Sequence, residues 1–183
     1  MSIAKNVQHV RGLIERAAND EGRDPASVTL LAVSKTFGPS AVIEAAEAGQ
    51  RAFGENYLQE ALEKQQAVQA LRPDLLLEWH FIGPIQSNKT RPVAEHFAWA
   101  HAVDREKIAR RLSEQRPAYL PPLNICLQVN VSGEASKSGV SPQDLPALAQ
   151  TVATLPNLRL RGLMAIPEPA DDFESQRKPF ALL

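Results

Sequence analysis

Six short runs of strand character, separated by stretches of helical periodicity, constrain this chain more than any other feature of its 183 residues. The runs are Thr29–Thr36, Arg51–Phe53, Leu77–Ile82, Trp99–Val103, Leu123–Val131 and Leu158–Ile166. Each is short, and glycine, proline or a polar cap follows each within two residues. Connections that contain a helix return the chain to the edge of the sheet it left, so successive strands run parallel and cross over right-handedly. The class is α/β. No repeat or low-complexity linker interrupts the pattern, so residues 1–183 read as a single domain.

The helices are legible from periodicity and caps. Ile3, Val7, Val10, Leu13, Ile14 and Ala17 give one apolar stripe before the first strand. Pro39 opens a second helix that Gly49 closes, and a third runs from Tyr57 to Leu71 before Arg72-Pro73. Ser87 is expected to cap a helix through Glu95 with Pro92 in its first turns, and Asp104 to cap one ending near Arg116. Ser141-Pro142-Gln-Asp144 opens a helix to Leu155, and Asp171–Leu183 reads as the start of another.

Composition narrows the function. A net charge of −1 gives no reason to expect nucleic acid or an anionic membrane surface as a partner. Cys126 is the only cysteine, which excludes an internal disulfide and a thiolate metal cluster and points to a reducing, cytoplasmic setting. There is no signal-like apolar core at the N-terminus and no apolar run long enough to span a bilayer.

In parallel α/β folds the loops after the strands hold ligands, and the chemically unusual residues gather there. Thr29–Thr36 reads as a strand buried on both faces, with Lys35 on the side of Leu31 and Val33 at its C-terminal rim. Partial desolvation there would leave more free amine, the form that attacks an aldehyde. Glu55 and Asn56 follow the second strand, the Ile82–Lys89 segment the third, the Ser132–Gly139 loop the fifth, and Met164-Ala-Ile-Pro167 ends the sixth. On the fifth strand Asn124, Cys126, Gln128 and Asn130 alternate with apolar residues, so one face is polar: either a wet, ligand-facing interior or amides that satisfy one another. His80 sits mid-strand as a hydrogen-bonded core histidine or a site residue, and Lys137 offers a second amine or a phosphate contact. His9, His96 and His101 lack metal-ligand spacing, and no phosphate-binding glycine motif or nucleophile elbow is present.

Taken together, Leu31-Ala-Val-Ser-Lys-Thr36, Phe53-Gly-Glu-Asn-Tyr57, His80-Phe-Ile-Gly83 with Gln86 and Asn88-Lys89, Gln128-Val-Asn-Val131 with Ser132-Gly-Glu134, Lys137 and Gly139, and Arg161-Gly-Leu-Met164 with Ile166-Pro167 resemble the pyridoxal phosphate homeostasis proteins, the YggS/PROSC family. The resemblance covers Leu31 to Pro167. It implies a TIM-like (β/α) barrel of the alanine racemase N-terminal type that binds pyridoxal 5′-phosphate, with the cofactor held as an aldimine on Lys35 and Asn56 near its ring. His80, Asn130, Lys137 and Met164 lie in the same motifs and are the further candidate cofactor contacts. The implied role is a carrier or regulator of the cofactor pool without clear turnover, usually monomeric, with apo-forms of pyridoxal phosphate enzymes as partners.

The chain departs from the family pattern at one end. It stops after six strands, short of the roughly 250 residues of a full barrel, and lacks the Ser-Met-Gly-Met-Ser-like and Arg-Ile-Gly-Thr-like loops that hold the phosphate in the family. The barrel is therefore expected to be truncated and cofactor retention weakened. Two other readings compete. One is a pyridoxal-phosphate-dependent amino-acid racemase or decarboxylase, for which only Tyr57 and Tyr119 offer a phenol. The other is a cofactor-free Schiff-base aldolase on a barrel, with Glu55 as the acid–base residue beside Lys35.

Overall fold

The computed structural model describes residues 2–132 and 138–183. Helices and strands alternate in the expected order: α1 (Ile3–Asp20), β1 (Ala32–Val33), α2 (Pro39–Glu47), β2 (Ala52–Glu55), α3 (Leu58–Leu71), β3 (Glu78–Phe81), α4 (Thr90–His96), β4 (Trp99–Val103), α5 (Glu106–Gln115), β5 (Leu123–Gln128), α6 (Leu145–Ala153), β6 (Leu158–Met164) and α7 (Phe173–Ala181). The chain forms two compact units, Met1–Trp79 and His80–Leu183. No helix among the described residues is long and apolar enough to cross a membrane.

In the first unit β1 and β2 pair in parallel, Ala32 opposite Phe53 and Val33 opposite Gly54. Ser34 N–H extends the ladder to the Gly54 carbonyl at 3.0 Å, and Glu78 N–H reaches the Arg51 carbonyl at 2.8 Å where β3 begins. Ser2 caps α1 through its hydroxyl and Pro39 opens α2. Gly49, with φ +90°, ends α2 in a conformation that disfavours any residue with a Cβ. Val7, Val42, Ala45, Ala46, Phe53 and Val68 form the core, with Trp79 packed against it. Phe53 and Trp79 meet with ring centroids 5.7 Å apart.

The second unit carries the parallel pairs β3–β4, β4–β5 and β5–β6. Val93, Val103, Ile108, Leu112, Leu123, Ile125 and Leu127 are fully buried. Phe81 and Phe97 pack edge to face at 5.3 Å. Arg116 is buried and donates to the carbonyls of Pro121, Ala94 and Phe97 at 2.6–2.8 Å. It closes the end of α4 and the loop before β5 with one guanidinium.

Several expectations need correction. β1 is only two residues long and is not buried on both faces, since Val33 is 48% exposed. Ser87 lies inside a short 3-10 turn and accepts with its carbonyl from the Thr90 hydroxyl, so it is not the cap of α4. Asp104 pairs with Arg105 and leaves Arg105 at the cap of α5. Ser141 does cap a turn, exchanging bonds with Asp144, but α6 begins one turn later than the Ser-Pro signal suggests. β5 ends at Gln128, and Val129 continues only as an isolated bridge to Val140.

Candidate functional site

The first unit presents Lys35 on a turn rather than on a strand. Phe37 N–H closes that turn on the Ser34 carbonyl at 3.1 Å. Lys35 and Thr36 are its central residues, and Thr36 has φ +66°. A positive φ at the third position is the mark of a type II turn, where glycine is preferred. For a β-branched residue it costs about 1–2 kcal/mol. Lys35 is exposed, not partly desolvated as the strand reading implied. Its amine makes no hydrogen bond or ion pair with any described residue.

That strained turn is gripped from α3. Lys64, 4% exposed, donates to the Ser34 carbonyl and to Glu55 Oε1, each at 2.7 Å, and to Glu60 Oε1 at 2.9 Å. Glu60 Oε1 also accepts Thr36 N–H at 2.7 Å, while the Ser34 hydroxyl donates to Glu55 Oε1 at 2.6 Å. The Lys64 hydrogen bond, and less so the one from Thr36, holds the Glu60 carboxyl below its ordinary range. Both residues flanking Lys35 are thus tied to the same ammonium–carboxylate network.

The register of β1 on β2 sorts the side chains into two faces. Ser34 and Glu55 point toward α3, as their hydrogen bond requires. Val33, paired with Gly54, lies on the other face of the ladder, while Lys35 and Asn56 lie beyond the strand ends, in the turn after β1 and the bend after β2. Glu55 is fully buried at the end of β2, not in the loop after it, and its Oε1 is taken by Ser34 and Lys64. Glu55 Oε2 and Asn56 Oδ1 are buried without a hydrogen-bond partner among the described residues. Lys35 offers an amine and Asn56 an unmet acceptor, groups that fit a ligand carrying an aldehyde and a donor.

In the second unit His80 is 6% exposed, its Nδ1 lying 2.9 Å from His101 Nε2, so one ring donates to the other. His80 stacks on Trp99 at 5.2 Å and 9°, and the Arg161 guanidinium covers the other ring partner of that cluster, Trp99, at 5.1 Å. Burial first, and the His80 charge second, hold the His101 imidazole down to about 4. Burial pushes the Cys126 thiol up, so it behaves as a small apolar residue. The amides of β5 are engaged with backbone: Asn124 donates to the Ala98 carbonyl and Gln128 to that of Ser138, each at 3.2 Å. Asn130 is half-buried, with its N–H on the Val140 carbonyl at 2.9 Å, and Met164 ends β6 half-buried, its carbonyl accepting Val129 N–H at 2.8 Å. Lys137 lies outside the described residues.

Two cavities bear on the assignment. In the second unit a cleft of about 410 Å³ opens beside the C-terminal ends of β3, β5 and β6, lined by Ile82, Pro84, Gln128, Ser138 and Ile166–Pro169. The first unit's larger cavity, about 630 Å³, lies at the other end of its strands between Arg11, Glu15, Gln50, Arg51 and Glu78 and includes neither Lys35 nor Asn56. Its arginines are engaged: Arg11 bonds the Ala48 and Gly49 carbonyls, and Arg51 bonds those of Ala46 and Gln50.

Residues 3–182 match the model of the alanine racemase N-terminal domain family. The pyridoxal phosphate homeostasis protein of Pseudomonas aeruginosa is 68% identical over 182 residues, spanning 100% of this chain and 77% of that protein. A crystal structure of an unknown protein from Bifidobacterium adolescentis superposes with a TM-score of 0.90 at 32% identity, over 99% of this chain and 76% of the other. PipY of Synechococcus elongatus, solved with PLP bound, gives a TM-score of 0.75 at 39% identity, over 92% of this chain and 76% of PipY. The α/β class read from the strand–helix alternation stands, in the TIM-like form of the alanine racemase N-terminal type.

Proposed function

From the premise that the chain belongs to the alanine racemase N-terminal domain family, and within it to the pyridoxal phosphate homeostasis proteins, we propose that it binds pyridoxal 5′-phosphate in cofactor homeostasis. The family match runs through both compact units and supports treating residues 1–183 as one cofactor-binding domain. When bound, the cofactor supplies an aldehyde. Lys35 would be the residue that holds the cofactor through that aldehyde, its amine being the nucleophile available on the turn. The observation that carries the reading is the Lys35 turn: an exposed amine without a partner among the described residues, held on a strained turn. Asn56 Oδ1, buried without a partner among the described residues, supports its role as a ligand acceptor. Asn130, Met164, His80 and Lys137 remain proposed contacts, the second unit's cleft supporting the first two.

The carrier role is favoured over turnover. Exchange of the cofactor onto a free amine needs only the aldehyde, whereas racemisation needs a second positioned acid–base group. Tyr57 and Tyr119 are 54% and 85% exposed, which gives neither a fixed position. Glu55 points toward α3, so it does not support the aldolase reading. An exposed Lys35 suits release to apo-forms of pyridoxal phosphate enzymes. Cys126, free and buried, supports the cytoplasm as the place of action.

Borohydride treatment of the protein loaded with pyridoxal 5′-phosphate, followed by peptide mapping, tests the assignment. The pyridoxyl group is expected on Lys35 and is lost in Lys35→Ala. Label on Lys89 or Lys137 instead would overturn it.

A further inference from the structure

We propose that Glu60 and Lys64 of α3 are positioning residues that set the reactivity of Lys35 by holding its turn in a left-handed backbone conformation. The inference rests on the reading of Lys35 as the cofactor-reactive amine. Neither side chain hydrogen-bonds to Lys35 itself. Glu60 takes the Thr36 amide at 2.7 Å, and Lys64 takes the Ser34 carbonyl at 2.7 Å, so the residues before and after Lys35 are both fixed from one helix.

The need for such a clamp follows from Thr36. At φ +66° its Cβ meets the crowding that L-residues avoid, and threonine, unlike glycine, does not hold that conformation unaided. Strain of this kind persists where surrounding contacts over-determine it, and it clusters at functional sites. Without Glu60, Thr36 is free to relax to negative φ. The peptide between Lys35 and Thr36 then turns over, and the lysine stem leaves the direction that the clamped turn gives it. Lys64 cannot drift in turn, because its ammonium is buried between Glu55 and Glu60 and has no water to replace them. The spacing of Glu60 and Lys64, one helical turn apart, lets one helix face grip both ends of the turn.

The experiment measures the rate at which the full chain condenses with pyridoxal 5′-phosphate, by absorbance and by borohydride-trapped label on Lys35, alongside the urea midpoint. Glu60→Ala removes the acceptor from a half-exposed helix position and should slow labelling about ten- to hundredfold, the range expected for a misplaced reacting group, with little change in midpoint. Glu60→Gln keeps a neutral acceptor for the Thr36 amide and should stay near the wild-type rate. Adding Thr36→Gly to Glu60→Ala removes the Cβ penalty and should restore most of the lost rate. A merely structural role for Glu60 would move the midpoint and not the rate. Wild-type labelling of Lys35 in Glu60→Ala, or no recovery with Thr36→Gly, overturns the proposal. A Lys35→Ala control that still takes up label would instead overturn the Lys35 reading itself.

Discussion

Replacing Lys64 with methionine should destabilise the protein out of proportion to the atoms removed. The side chains of Glu55 and Lys64 are 0% and 3% exposed and meet at 2.7 Å. Methionine fills most of the lysine stem, so the perturbation is chiefly electrostatic. It leaves the Glu55 carboxylate buried with only the Ser34 hydroxyl as donor and with Oε2 already unpartnered. Removing one member of such a pair costs about 3–5 kcal/mol, against a total stability of about 5–15 kcal/mol. For a chain of this size that is a fall in Tm of about 6–20 °C. Glu55→Gln alone should cost less, about 1–2 kcal/mol, because Lys64 keeps Glu60 and the Ser34 carbonyl. The double variant Lys64→Met/Glu55→Gln removes both charges and should return to within about 1 kcal/mol of wild type. Urea unfolding followed by circular dichroism at neutral pH measures the cycle. A Lys64→Met protein within about 1 kcal/mol of wild type at neutral pH would refute the buried-charge reasoning.

Two further outcomes follow from the second unit. His101 titrates from an ordinary 6.5 down to about 4 in the folded protein. Between those values the unfolded chain binds more protons, so stability should fall as pH drops from 6.5 toward 4. The full shift corresponds to about 3 kcal/mol at 1.36 kcal/mol per unit, and discounting for the ring's remaining exposure leaves about 1–2 kcal/mol. Urea midpoints at pH 4.5 and 7.5 should show that difference in wild type and a smaller one in His101→Gln; equal slopes would exclude His101 as the source. Arg116→Met should cost about 3 kcal/mol, since the Pro121, Ala94 and Phe97 carbonyls lose their donor together; a change under about 1 kcal/mol in the same assay would show that water replaces it.

The order of elements was legible because each strand carries its own punctuation and each helix its own period. Lys35, too, could be singled out from the end of its apolar run. What surrounds Lys35 was not, and the reason lies in how charge is read along a helix. Glu60 and Lys64 look like an ordinary surface pair one turn apart, the commonest arrangement on a solvated face. The missed signal is that Ala61, Lys64 and Val68 form the buried stripe of α3. A lysine at a core position between alanine and valine must find a carboxylate or a carbonyl inside the protein, and here it finds both. The His80–His101 contact was hidden in the same way. The two rings lie on adjacent strands, and the register that pairs His80 with Trp99 brings His101, two residues on, to the same face. Thr36 closes the short apolar run Thr29–Thr36 and so reads as the end of a strand. The fold overrides that expectation through contacts from α3, far along the chain, and a local reading has no access to them. The conflict is itself informative. A threonine where a type II turn wants glycine, beside the lysine proposed to hold the cofactor, is a local violation held in place by a buried ion pair, and such violations concentrate where function is placed.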